Sequence, residues 1–123
     1  MAIPKQMRAL LLTGEGYASQ PSGSALEAME PYVTLGTVDV PAPTGRQVLV
    51  KVTRASINPS DVMFVKGLYG QPRAKGQPAG FEGVGTVVAT GDDPSALALD
   101  GKRIAFAAGL SNWGAWAEYA MAD

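Results

Sequence analysis

Residues 55–91 read ASINPSDVMFVKGLYGQPRAKGQPAGFEGVGTVVATG. An Asn-Pro turn, a short helical pattern, a tyrosine, a basic Gly/Pro loop and a Gly-rich strand entry follow one another here. Polar groups able to do chemistry concentrate in this stretch. Pro59 suits the first position of a helix and biases Asn58 toward extended backbone. Asn58 can then cap the turn with its side-chain oxygen. Gly67 is the expected stop. Residues 70–80, GQPRAKGQPAG, hold two Pro and three Gly and read as a loop.

The run Gly80-Phe81-Glu82-Gly83-Val84-Gly85 has the spacing G-x-x-G-x-G, the reverse of the dinucleotide fingerprint. The residues after it, TVVAT, are β-rich and lead into no helix. Without a helix N-terminus no dipole is available to hold a pyrophosphate, so this is no phosphate loop. The glycines instead let the strand bulge, or let another backbone approach closely.

Outward from this stretch the chain alternates short strands with turns. Met7 to Thr13 (MRALLLT) is a first strand ended by Gly14, and residues 14–31 are a Gly/Ser/Pro-rich surface loop in which ALEAME could form one helical turn. Tyr32 to Val40 is β-branched and stops at Pro41 and Pro43. Val48 to Ala55 alternates, with Val48, Val50 and Val52 on one face and Lys51 and Thr53 on the other, the pattern of a half-buried strand. β-Rich sequence resumes after Gly85, Gly91 to Pro94 is a turn, and Lys102 to Ala107 and Ala115 to Met121 read as two further strands. The pattern predicts a mainly β, partly open barrel with one or two short helices. No segment is long enough for a βαβ crossover, so residues 1–123 hold no Rossmann domain.

Composition removes many functions. With 46% hydrophobic and 17% charged residues the chain is a globular one, and a length of 123 residues suits a single domain. A formal net charge of -1 gives no basic excess to attract nucleic acid or an anionic membrane. No run approaches the ~18 apolar residues of a membrane span. The N-terminus MAIPKQ has no apolar secretory core, so the cytoplasm is the expected compartment. Cysteine and histidine are absent, which rules out disulfides, Ser-His-Asp and Cys-His catalysis, and the usual zinc ligands. Proton chemistry is left to Tyr, Lys and the carboxylates.

On residue physics alone the structural readings are favoured. Asn58 is a cap with amide donors left over. Tyr69, in a polar loop past Gly67, is a packing residue with a wet hydroxyl, or a phenol placed to protonate a developing enolate or alkoxide. Lys66, Arg73 and Lys75 read as a solvated basic face. Trp113, Trp116 and Tyr119 read as core or interface aromatics.

ASINPSDVMFVKGLYG followed by GFEGVGTVVATG resembles the medium-chain dehydrogenase/reductase superfamily, and within it the zinc-free quinone oxidoreductases and enoyl thioester reductases. The flanks MRALLL, VDVPAPTGRQVLVKV, GKRIAFAA and WGAWAEYAMA agree, so the resemblance covers nearly the whole chain outside residues 14–31. It implies a GroES-like N-terminal catalytic domain (residues 1–123), with a Rossmann domain expected downstream and NADPH lying between the two. Zinc-dependent relatives carry Cys at the position of Asn58 and His at that of Phe81. Glu82 keeps its position without those partners, and the resemblance therefore implies loss of zinc.

The resemblance places Asn58 near the nicotinamide and makes Tyr69 the proton donor. Residues 70–80 would line the substrate mouth. Many quinone oxidoreductases carry a further tyrosine where this chain has Met63, and the NPSD wording leans toward the enoyl reductases. The implied reaction is hydride transfer from NADPH to a small electrophilic acceptor, either a quinone or a conjugated enone or enoyl thioester. The pyrophosphate contacts would come from the second domain, so residues 1–123 alone are expected to bind NADPH weakly. An apolar patch at the open cleft would favour a homo-oligomer. A different class of function stays open at this point: a stand-alone GroES-like barrel that binds or assembles without catalysis.

Overall fold

The structure, a computed structural model, describes residues 2–14, 29–69, 72–108 and 113–123. In chain order the described residues form β1 (Gln6–Leu12), β2 (Val33–Asp39), β3 (Val48–Ala55), α1 (Pro59–Val65), β4 (Glu82–Thr90), α2 (Pro94–Leu97), β5 (Arg103–Ala107) and β6 (Tyr119–Ala122). The architecture is mainly β with two short helices, as the strand-and-turn pattern predicted. The helical turn expected at ALEAME falls mainly on residues outside the described set.

The strands make two antiparallel sheets, β1-β2 and β5-β4-β3-β6. β1 joins them. On one edge it pairs with β2 from Gln6↔Asp39 to Leu12↔Val33. On the other it meets the approach to β6 through Leu10 N–H to Trp116 O (2.8 Å) and Glu118 N–H to Arg8 O (3.1 Å). Further along that edge it meets the approach to β4, through Leu12 N–H to Gln77 O (2.8 Å) and Ala79 N–H to Leu10 O (3.0 Å). Isolated bridges Ala9↔Ala117 and Leu11↔Pro78 mark the two contacts. The sheets thus meet along β1 without closing a continuous barrel among the described residues.

β3 departs from the alternation read in its sequence. Val48, Leu49 and Val50 are all buried, whereas Thr53 to Ala55 are exposed. Val48 and Val50 pack with Val87, Phe106 and Ala120, while Leu49 packs on the opposite face with Met7 and Tyr119. A strand central to its sheet is covered on both faces where both layers reach it, so period-two alternation fails there. β4 begins at Glu82, earlier than the β-rich run after Gly85, because it is pinned on both edges by Ala55↔Gly83 and Glu82↔Ala107. β6 begins at Tyr119, later than the predicted Ala115; residues 116–118 bond to β1 through Trp116 O and Glu118 N–H, while Glu118 O still accepts from Val52 N–H of β3 at 3.0 Å.

The predicted turn at Gly91 to Pro94 leads into the unpredicted α2. Asp93 caps it by accepting from Ser95 N–H at 2.9 Å and Ser95 Oγ at 2.6 Å. The Ser95 hydroxyl, then the Ser95 N–H, hold the Asp93 carboxyl below its ordinary pKa. Among the described residues no helix is long and apolar enough to cross a membrane.

The close-approach reading of the glycines describes Gly85. It pairs with Val52 beside a break in the β3–β4 register, and a Cβ at this position would strike the Lys51 carbonyl. Backbone on backbone cannot be relieved by a rotamer change. G85A is expected to destabilise the fold by about 2–4 kcal/mol, read as a lower urea midpoint at unchanged m-value.

Candidate functional site

The site starts from a helix too short to stand alone. α1 has seven residues and is held by its ends and its buried face, Val62, Phe64 and Val65. Pro59 opens it and Asn58 is extended at φ -100°, ψ 159°. At the other end Gly67 takes φ 81°, which only glycine adopts freely, and the helix stops as predicted.

The cap differs from the simple one expected of Asn58. Asn58 and Asp61 form a capping box in which the Asn58 side chain faces the Asp61 backbone N–H, in a looser contact than a full cap hydrogen bond, and the Asp61 side chain accepts from the Asn58 backbone. Asp61 is 1% exposed. Its Oδ2 accepts from Asn58 N–H at 2.8 Å, and its Oδ1 accepts from Phe81 N–H, also at 2.8 Å. One buried carboxylate therefore ties the start of α1 to the entry of β4. The positive end of the helix favours a negative charge at this position.

The Asn58 side chain stays in the cap, as expected, and its amide nitrogen makes a further contact away from the helix. Its Nδ2 donates to Ser56 Oγ at 3.1 Å, and Ser56 Oγ lies 3.3 Å from Glu82 Oε2. The backbone of Ser56 is fixed independently, by Trp116 Nε1–H to Ser56 O at 3.0 Å and by Ser56 N–H to Glu82 O at 3.4 Å. Ser56 and Glu82 also border an open cleft of ≈ 580 Å³ over the paired ends of β3, β4 and β5, with Arg54, Gly83 and Ala107 among its walls.

Tyr69 lies on the aromatic side of the same strand entry. Its ring meets Phe81 at 5.4 Å between centroids, and Phe81 meets Phe64 at 5.0 Å. The residue is 42% exposed, so one part is seated on Phe81 and the rest is open to solvent. Asn58 and Tyr69 are thus connected through Phe81, whose backbone Asp61 holds and whose ring Tyr69 packs on.

The expected basic face does not exist as a unit. Lys66 is 2% exposed, inside the fold next to the helix end. Arg73 is half-buried and donates from its guanidinium to Thr13 O at 2.9 Å and Tyr32 O at 3.2 Å, fastening the loop to β1 and the start of β2. Only Lys75 fits the solvated reading. The part of the 70–80 loop at residues 70 and 71 lies outside the described set. Among the described residues no group of three or more potential metal ligands converges.

Sequence reasoning passed over Ser56 and Asp61. The signal for Asp61 was legible, since Asn58-x-x-Asp61 has the N-cap/N3 spacing of a capping box. Ser56 carried no comparable signal, because its contacts to Glu82 and Trp116 cross long stretches of chain.

A family model described as the alcohol dehydrogenase GroES-like domain matches residues 44–123. A structure from Mesorhizobium loti, described as a candidate NADPH:quinone reductase, superposes on the whole chain with TM-score 0.93 and 69% identity, over 36% of its own length. The mitochondrial enoyl-[acyl-carrier-protein] reductase of Mus musculus is 32% identical over 92% of this chain and 27% of its own. Prostaglandin reductase-3 of Bos taurus is 35% identical over 98% of this chain and 28% of its own. The chain thus spans roughly a third or less of the relatives it matches.

The Asp61 bridge sets a direct expectation. D61A leaves two N–H groups without their acceptor in a dry place, each costing about 1–3 kcal/mol, so a loss of about 3 kcal/mol is expected in chemical denaturation. D61N, which keeps one acceptor oxygen but turns an amide donor toward the other N–H, is expected to recover only part of that loss.

Proposed function

The chain belongs to the alcohol dehydrogenase GroES-like domain family, and from that premise we propose that it forms the catalytic wall of an NADPH-dependent oxidoreductase. The acceptor we propose is a small electrophile, either a quinone or a conjugated enone or enoyl thioester. The observation that carries this reading is the 69% identity, over the whole chain, to a protein described as a candidate NADPH:quinone reductase. The enoyl and prostaglandin reductases among the relatives support the conjugated-acceptor branch.

The residues present suit one end of the cofactor. Asn58 offers an amide bonded to Ser56, a residue of the cleft wall, while the Gly80–Gly85 run enters strand β4 and provides no helix N-terminus for a pyrophosphate. We propose that a second, dinucleotide-binding domain completes the cleft, which the greater length of the relatives supports. When bound, the nicotinamide supplies the hydride. Asn58 orients the nicotinamide or the acceptor oxygen. Tyr69, seated on Phe81 and partly open, gives its phenolic proton to the enolate oxygen that develops as the acceptor is reduced. The half-buried and exposed polar groups need no metal in this scheme. A zinc-free mechanism is proposed because the chain contains neither His nor Cys.

The test is an NADPH-oxidation screen of the full-length protein against quinones, enones and enoyl thioesters. Turnover with at least one class is expected, and no turnover with any of them contradicts the reading. Y69F is expected to lower kcat on that substrate by about 10²-fold or more, and unchanged turnover would remove the proton-donor role.

A further inference from the structure

Ile57 stands between Ser56 and Asn58 and is 68% exposed. It borders an open pocket of ≈ 390 Å³ whose other walls are Leu10, Met29, Val33, Ala55 and Trp116. Apolar side chains exposed singly are ordinary, whereas a contiguous apolar hollow marks a binding groove. The volume lies within the range of roughly 300–1,000 Å³ typical of small-molecule pockets.

The wall has no polar side chain to spare. Among the lining residues the one side-chain N–H or O–H is that of Trp116 Nε1, and it is given to Ser56 O at 3.0 Å. The backbone behind the wall is bonded as well. Leu10 N–H goes to Trp116 O (2.8 Å), Trp116 N–H to Ala79 O (2.9 Å) and Ala79 N–H to Leu10 O (3.0 Å). A polar part of a ligand would give up its bonds to water here without replacing them. A hydrocarbon has no such bonds to lose and gains by leaving water.

The pocket is continuous with the candidate site. Ala55 lines both this pocket and the open cleft that Ser56 and Glu82 border. The Trp116 indole fixes the backbone one residue before Ile57. Met29, Val33 and Trp116 pack, together with Phe81, on the cluster that contains Phe64, and Phe81 is the seat of Tyr69.

We propose that this pocket is the subsite for a hydrocarbon tail of the acceptor, and that Ile57 at its edge is a specificity-determining residue. The acceptor is then an electrophilic head carrying an aliphatic tail, with the head at the corner of Asn58 and Tyr69 and the tail between Ile57 and Trp116. The inference rests on the reductase reading of the proposed function and narrows its substrate class.

The experiment measures kcat/KM of the full-length protein with saturating NADPH against conjugated methyl ketones whose straight tails lengthen one CH₂ at a time. Alkylbenzoquinones replace them if quinones are the class turned over. Thermal unfolding is recorded alongside. A rise of about fourfold per added CH₂ is expected, carried by KM, until the pocket is full. I57A is expected to cut the ratio between the longest-tailed and shortest-tailed acceptors about tenfold, and I57W, which sets an indole at the pocket edge, to remove the gain with length. Because Ile57 is exposed, Tm should stay unchanged in both variants. A kcat/KM that is flat across the series would overturn the tail subsite and leave the reductase reading standing. A gain with length that persists in both variants, or a Tm that falls with the lost ratio, would overturn the role of Ile57. No turnover of any acceptor would overturn the reductase reading, and this inference with it.

Discussion

The Asp61 carboxylate takes one backbone N–H from Asn58 and one from Phe81, each at 2.8 Å, in a place closed to water. An ionised group is costly to bury unless its oxygens are well bonded, and here each oxygen has its own donor. The same charge sits in the first turn of α1, where the helix dipole favours it. This contact turns a seven-residue helix and a glycine-rich strand entry into one rigid corner. Without it the short helix loses its tie to the strand entry, which β3 and β5 hold from either edge.

From that corner the site divides in two. Phe81 and Glu82 are neighbours at the start of β4, and consecutive extended residues point to opposite sides. The Phe81 ring joins Phe64 and supports Tyr69. The Glu82 carboxylate meets Ser56, which meets Asn58. The proposed proton donor and the proposed nicotinamide contact are therefore set by adjacent residues of one strand. A shift of β4 by one position would exchange the aromatic and polar sides. The register with β3 and β5, and the close approach allowed at Gly85, have functional weight for that reason.

Much of this was legible in the sequence where the deciding forces are local. The span of β3, the start of α1 at Pro59, its stop at Gly67 and the backbone approach at Gly85 all follow from residue type and spacing. What was not legible depends on contacts between distant residues. Leu49 is buried because Met7 and Tyr119 cover its face, which alternation within β3 cannot show. Lys66 looked like a surface charge because its burial is decided by the tertiary packing around the end of α1. Arg73 is fixed by carbonyls of Thr13 and Tyr32, far away in sequence. The positions of Asn58 and Tyr69 as candidates came from resemblance. Their link through Asp61 and Phe81 came only from the structure.

The central claim is that this corner is half of a hydride-transfer cleft. It is tested most directly by following the hydride itself. The full-length protein is given NADPH carrying deuterium at both C4 positions of the nicotinamide, together with a conjugated enone or enoyl thioester in ordinary water, and the reduced product is examined by mass spectrometry and NMR. The account predicts one deuterium on the carbon β to the carbonyl and a solvent proton on the α carbon. Reduced product with no deuterium at the β carbon would contradict it.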